Sequence, residues 1–158
     1  MDEMPALKHS KITGAILKAF FDIFNDLSGF PEFVLRRALA TVLRDQHLTV
    51  EEEAWLPVWY RGRRIARFRA DLIVNGCVIV EVKTRYEIDP LNKTQLLHYL
   101  KATGLEVGLL LNFGKRPEFS RVVLSDPRRS EDPRDPRPEP GDPRPGLPGE
   151  PEHANPRP

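Results

Sequence analysis

The sequence holds very little cysteine: Cys77 is the only one in 158 residues. No intrachain disulfide can form, and the chain alone cannot build a thiolate zinc site. Such cysteine usage fits a reducing cytoplasm. Long apolar runs are missing too. No stretch of about 18 apolar residues occurs that would cross a bilayer, and Met1 to Ser10 has no apolar segment ahead of a small-residue cleavage site. The expectation is a soluble, unexported, cytoplasmic protein with no membrane partner. Charge of one sign is also scarce. The formal net charge is +1, with 18 Lys and Arg against 15 Asp and Glu over residues 1–125 and 6 against 8 over 126–158. So small an excess cannot argue for nucleic-acid binding, because that inference needs a local basic patch.

What is present suffices for one domain. Hydrophobic residues make up 40% of the chain, enough to build a core over most of this length. After Ser125 the composition changes abruptly: 11 of the 16 prolines lie between Pro127 and Pro158, and Leu147 is the only large aliphatic residue there. A degenerate Asp-Pro-Arg repeat starts at Asp126, Asp132, Asp135 and Asp142. Prolines withhold backbone donors from helix and sheet, so a disordered, polyproline-II-like tail over 126–158 is expected behind a folded domain over 1–125.

Apolar periodicity predicts the elements of that domain. Ile12, Ile16, Leu17, Phe20, Phe21, Phe24 and Leu27 recur at helical spacing, giving a helix from about Ser10 that stops at Gly29. Pro31 suits the first position of a second helix and Glu32 its first turn, with Val34, Leu35, Ala38, Leu39, Val42 and Leu43 as its apolar face to about His47. From Leu48 the pattern is extended and turns at Arg61-Gly62. Ile65 to Val74 and Cys77 to Thr84 then flank Asn75-Gly76, a strong hairpin signal. Asp89 caps a helix with Pro90 in its first turn and Gly104 at its end. Leu105 to Phe113 follows as a buried strand, and Phe119 to Leu124 as a last short one. The order ααβββαββ describes an α/β domain, a mixed β-sheet flanked by helices.

Three charged groups interrupt the apolar strands: Asp71, Glu81 and Lys83. Burying unpaired charge is costly, so they call for one another, an ion or solvent. Glu81 and Lys83 are two apart and share one strand face. Two carboxylates with positions left for water suit Mg²⁺ or Mn²⁺. A lysine beside them orients an attacking water or steadies charge on a phosphate, the minimum equipment for phosphodiester hydrolysis. An ordinary ion pair on a half-exposed strand would use the same residues. Register separates the two readings. A strict two-residue Asn75-Gly76 turn would set Asp71 opposite Val80, its side chain pointing away from Glu81. Convergence requires an odd loop, such as a three-residue connection including Cys77, or a bulge.

Asp71 followed by Glu81-Val82-Lys83 resembles the PD-(D/E)XK nuclease signature, with Arg69-Ala70-Asp71 in place of the proline form of its first half. Gln95-Leu96-Leu97-His98-Tyr99 resembles a Q-x-x-x-Y motif on the following helix, and four-residue spacing puts Gln95 and Tyr99 on one face. Gly29-Phe30-Pro31-Glu32-Phe33-Val34-Leu35-Arg36 matches the element that names the GxxExxxR family. Its companions are Val58 to Gly62, Gln95 to Lys101 and Gly108 to Gly114, so the resemblance covers residues 11 to about 125. Pro31 and Leu35 depart from the residues most members carry, and the tail lies outside the pattern.

The resemblance implies a restriction-endonuclease-like core in which Asp71, Glu81 and the Val82 carbonyl bind Mg²⁺ or Mn²⁺ and Lys83 acts on the attacking water. Glu32 would approach the metal directly or through water. Gln95 would assist catalysis, and Tyr99 substrate binding. Arg36 would pair with Glu32 or with phosphate. The implied partner is nucleic acid, DNA foremost, and nucleases of this size often act as homodimers. Arg67 and Arg69 belong to a dense basic stretch, Arg61 to Arg69, whose alternating arginines either hold phosphates or form a solvated strand face. For Trp55, Trp59 and Tyr60, sheet or core packing is expected ahead of base stacking. Two other readings remain open: a binding module that keeps the fold without cutting, and an interaction protein acting through its tail.

Overall fold

In the computed structural model, residues 9–124 are described. The expected tail, 126–158, lies outside them, as does the N-terminus before His9. Two helices, α1 (Ser10–Leu27) and α2 (Glu32–Asp45), precede β1 (Val50–Tyr60), β2 (Arg63–Val74) and β3 (Val78–Lys83); α3 (Pro90–Thr103), β4 (Val107–Phe113) and β5 (Pro117–Val123) complete the domain. The order is the one the periodicity predicts. Strand starts differ by one or two residues. β2 begins earlier, at Arg63, because the Arg61-Gly62 loop holds only two residues, both at positive φ. β5 also begins earlier, at Pro117, and β1, β3 and β4 begin later, at Val50, Val78 and Val107. Pro31 is the N-cap of α2, one position ahead of the expected place.

The strands lie in the order β1-β2-β3-β4-β5, antiparallel except for β3 and β4. Parallel strands need a crossover, and α3 supplies it. Asp89 starts that helix by accepting the Leu91 N–H at 2.8 Å, and Gly104 ends it at φ 89°. Helices α1 and α2 cover one sheet face, where Ile16, Phe20, Leu35, Leu39 and Leu43 pack on Leu72, Val80, Val82, Leu109 and Leu111. Helix α3 covers the other, with Leu96 and Leu100 against Ile73, Ile79 and Leu110. The result is a mixed α/β sheet between helices.

Two backbone irregularities prepare the site. Val74 pairs with Val78, so Asn75-Gly76-Cys77 is a three-residue connection, with positive φ at Asn75 and Gly76 and a Cys77 N–H to Val74 C=O bond of 3.1 Å. The odd loop required for convergence is therefore present. The ladder ends at Leu72/Val80, and the next position brings Asp71 opposite Glu81. The second irregularity is Glu53, a non-glycine residue at φ 51° inside β1. Val50, Leu72 and Val74 pack on the α1–α2 side, whereas Ala54, Leu56, Phe68 and Ala70 pack on the α3 side. All are even-numbered, so both strands exchange faces at Glu53 and at Asp71. A left-handed residue of this kind costs about 1–2 kcal/mol.

Candidate functional site

Asp71 and Glu81 meet at the fork where β2 parts from β3. The Val82 N–H donates to Asp71 Oδ2 at 2.8 Å, and the Asp71 N–H lies 3.4 Å from Glu81 Oε1. Each carboxylate is thus held by the backbone of the other's strand. Lys83 is two residues beyond Glu81 on the same face, half-buried. Burial pushes the Glu81 carboxyl up to about 8; the Asp71 charge adds to the rise, and Lys83 partly offsets it.

Glu32 enters from the first turn of α2. Its carboxyl is also raised, by burial first and by Asp71 next, while Lys83, Arg36 and Arg85 act in the opposite direction. Helix and sheet residues far apart in sequence therefore share one electrostatic environment. Tyr99 reaches it from α3: burial and then the charge of Glu81 raise its hydroxyl, and its ring stacks on Phe68 at 3.7 Å between centroids. Gln95, one turn earlier, is exposed. The Val82 backbone meets the site through its N–H.

Some expected neighbours are elsewhere. The ion pair of Arg36 is with Glu53, at 3.3 Å, while its charge still acts on Glu32; Arg69 shares the Glu53 carboxylate at 3.6 Å. Spacing along α2 points to Glu32, but the side chain crosses to β1. Arg67 lies over Trp55, 4.4 Å from the ring centroid. Trp55 and Tyr60 are both exposed, so neither packs in the core. Residues that the sequence does not single out also support the site. Buried Asn112, beside Lys83 in the β3–β4 ladder, accepts the Arg85 N–H and donates to the Arg85 C=O, both at 2.9 Å, pinning the chain just beyond Lys83. Asn112 and Gly114 lie in a segment of the motif pattern, whereas Glu53 sits in a run of three glutamates that reads as solvated surface.

Asp71 and Glu81 fit a divalent cation in the chemistry of their donors: two hard oxygen ligands whose mutual repulsion a cation would relieve. Among the described residues, no group of three or more His, Cys, Asp or Glu side chains is arranged to hold a metal ion. A two-carboxylate set is the usual protein share for Mg²⁺, which keeps several waters.

The Glu81 shift sets a pH dependence for protein kept in chelator. Near pH 4.5 and below, folded and unfolded chains both hold this proton. Between there and about 8 the unfolded chain releases it and the folded chain retains it, so stability falls as pH rises. The slope is at most about 1.4 kcal/mol per pH unit. Urea unfolding across this window, compared with Glu81→Gln, checks it; a variant with the same pH profile as the parent would exclude Glu81 as the cause.

The PD-(D/E)XK nuclease superfamily profile matches residues 10–122, and the chain belongs to that superfamily. No curated protein matches the sequence. Among solved structures, the one titled "Crystal structure of SSO0001" is similar, with 21% identity and a TM-score of 0.46 over 78% of this chain and 61% of that one. The chain thus spans less than two thirds of that structure's length. No helix among the described residues is long and apolar enough to cross a membrane.

Proposed function

We propose that the protein is a nuclease that hydrolyses phosphodiester bonds of nucleic acid, foremost DNA, with Mg²⁺ or Mn²⁺, as a cytoplasmic member of the GxxExxxR group. The observation that carries this reading is the pairing of Asp71 with Glu81 at the β2–β3 fork, beside Lys83, in a chain of the nuclease superfamily. Asp71, Glu81 and the Val82 carbonyl would hold the ion. When bound, it would neutralise charge on the phosphoryl oxygens and the leaving group. Lys83 orients the attacking water and stabilises charge on the phosphate. Glu32 acts through water from α2, Gln95 and Tyr99 position substrate from α3, and Arg36 holds Glu53 in place beside the site. A second copy of the chain is the candidate protein partner.

The test is degradation of labelled single- and double-stranded DNA and RNA with Mg²⁺, with Mn²⁺ and with chelator, beside folded Asp71→Ala and Lys83→Ala proteins. Metal-dependent cutting, reduced at least about a hundredfold in both variants, is expected. No cutting by the parent, or undiminished cutting by the variants, would replace this reading with the binding module.

A further inference from the structure

Residues 54–70 contain five arginines (Arg61, Arg63, Arg64, Arg67 and Arg69), four aromatic residues (Trp55, Trp59, Tyr60 and Phe68) and no Asp or Glu. This segment is the half of the β1–β2 hairpin that leaves the main sheet. β2 pairs with β3 only over Leu72 to Val74, so from Ala70 back to Arg63 its ladder partner is β1 alone. One face of this ribbon is covered: Leu56 and Phe68 pack in the α3-side cluster, Phe68 flat against Tyr99. On the opposite face Trp55 is 55% exposed. Its cross-strand partner Arg69 lies 5.9 Å from the ring centroid, and Arg67, opposite Pro57, lies 4.4 Å from it. At the turn, exposed Tyr60, five positions on and so on the other face at the ribbon's tip, carries the Arg61 guanidinium 5.3 Å from its ring centroid.

We propose that this ribbon is a binding platform for single-stranded nucleic acid, with a base stacked on Trp55 and phosphates held by Arg67 and Arg69 on its open face, and with Tyr60 and Arg61 taking the strand where it passes round the tip. Large exposed aromatic surface is costly to leave in water, and here it alternates with cations in a segment that itself contains no acid, Arg69 pairing with Glu53 just outside it. Stacking planes interleaved with guanidinium groups match what an unpaired strand presents: base faces and a run of phosphates. A duplex hides its base faces inside the stack, and an acidic peptide would use the arginines while leaving Trp55 and Tyr60 without a planar partner. The ribbon also leads to the candidate site. Arg69 and Arg36 share Glu53, and the strand that carries Arg67 and Arg69 runs directly into Asp71. The use of the platform to deliver substrate rests on the nuclease reading; its binding of a single strand does not.

The experiment measures binding of the full chain, in chelator, to a fluorescently labelled oligothymidylate, an oligouridylate and a mixed-sequence DNA duplex of the same length. Single strands bind more tightly than duplex. Trp55→Ala weakens single-strand binding roughly tenfold and leaves duplex binding unchanged, while Trp55→Phe retains most of the affinity. Arg67→Gln reduces the steepness of the salt dependence by about 0.7 in logarithmic slope, the effect of one lost phosphate contact on a single strand. The two oligonucleotides distinguish DNA from RNA as the source of the strand. Trp55 is solvent-facing, so its replacement leaves the fold intact, which the unfolding midpoint verifies; Tyr60→Ala gives a second reading at the turn. Duplex binding as tight as single-strand binding, or Trp55→Ala and Tyr60→Ala proteins that bind like the parent, overturns the proposal. Chelator prevents metal-dependent cutting, so a parent protein that binds but never cuts with metal would count against the nuclease reading alone.

Discussion

Replacing Asp71 with asparagine is expected to stabilise the metal-free protein above neutral pH while abolishing the proposed nuclease activity. The two effects have one origin. The amide oxygen of the introduced side chain can still accept the Val82 N–H that Asp71 Oδ2 accepts at 2.8 Å, so the local geometry is kept. What disappears is a negative charge, the second cause of the raised Glu81 carboxyl after burial and the second cause of the raised Glu32 carboxyl as well. With that repulsion removed, the Glu81 pKa moves down from about 8. The folded state then loses less stability on ionisation, a gain on the order of 1 kcal/mol at pH 8. In a domain of this size such a gain raises Tm by about 4 °C. Cutting should fall roughly a thousandfold with either Mg²⁺ or Mn²⁺, because one of the two anionic ligands has gone. Thermal unfolding in chelator at pH 8 and single-turnover cleavage supply the two readings. An Asp71→Asn protein less stable than the parent would mean that carboxylate hydrogen bonding outweighs the repulsion.

Gly114→Ala is expected to be among the most destabilising single-methyl changes in the chain. A Cβ at this position would lie 2.0 Å from the Arg85 carbonyl oxygen and 3.1 Å from both the Arg85 carbonyl carbon and Asn112 Nδ2. The obstruction is backbone, which cannot rotate aside as a flexible side chain does. That backbone is held on both its N–H and its C=O by the buried Asn112 amide. Either the β4 end or the segment after Lys83 must shift, breaking at least one of these bonds, at a cost of about 3 kcal/mol or more. Urea denaturation measures the loss directly, and a Gly114→Ala protein within about 0.5 kcal/mol of the parent would show that the strand end is free to move. The shift would carry Lys83 and Arg85 with it, so the proposed activity should fall beyond what partial unfolding explains. Gly108→Ala offers a milder comparison, since the obstruction at 2.8–2.9 Å is the Leu96 side chain.

The helices were legible because their signals are local. Apolar spacing, Gly29 and Gly104 at positive φ, and Asp89 with Pro90 all act within a few residues of where they stand. The Asn75-Gly76 turn was equally visible, but its loop length was not. Periodicity allows a two- or three-residue connection there, and only the requirement that Asp71 reach Glu81 pointed to the longer one. Strand faces were less legible. Trp55 and Tyr60 look like sheet or core residues because aromatics favour strands in either setting, and their exposure depends on how far the β1–β2 hairpin outruns the sheet.

The sequence by itself determined the element order, the chain ends of the helices and the three charged residues, Asp71, Glu81 and Lys83, that apolar strands would not otherwise carry. Those depend on neighbours in the chain. Only the tertiary structure decided that Glu53 turns left-handed, that β1 and β2 exchange faces at Glu53 and Asp71, and that Arg36 crosses to Glu53. It alone decided that Asn112, twenty-seven residues on, ties down the backbone at Arg85. Each of these joins strands or helices remote in sequence, and their geometry is set by how the sheet twists and packs, which no local pattern of residue types encodes.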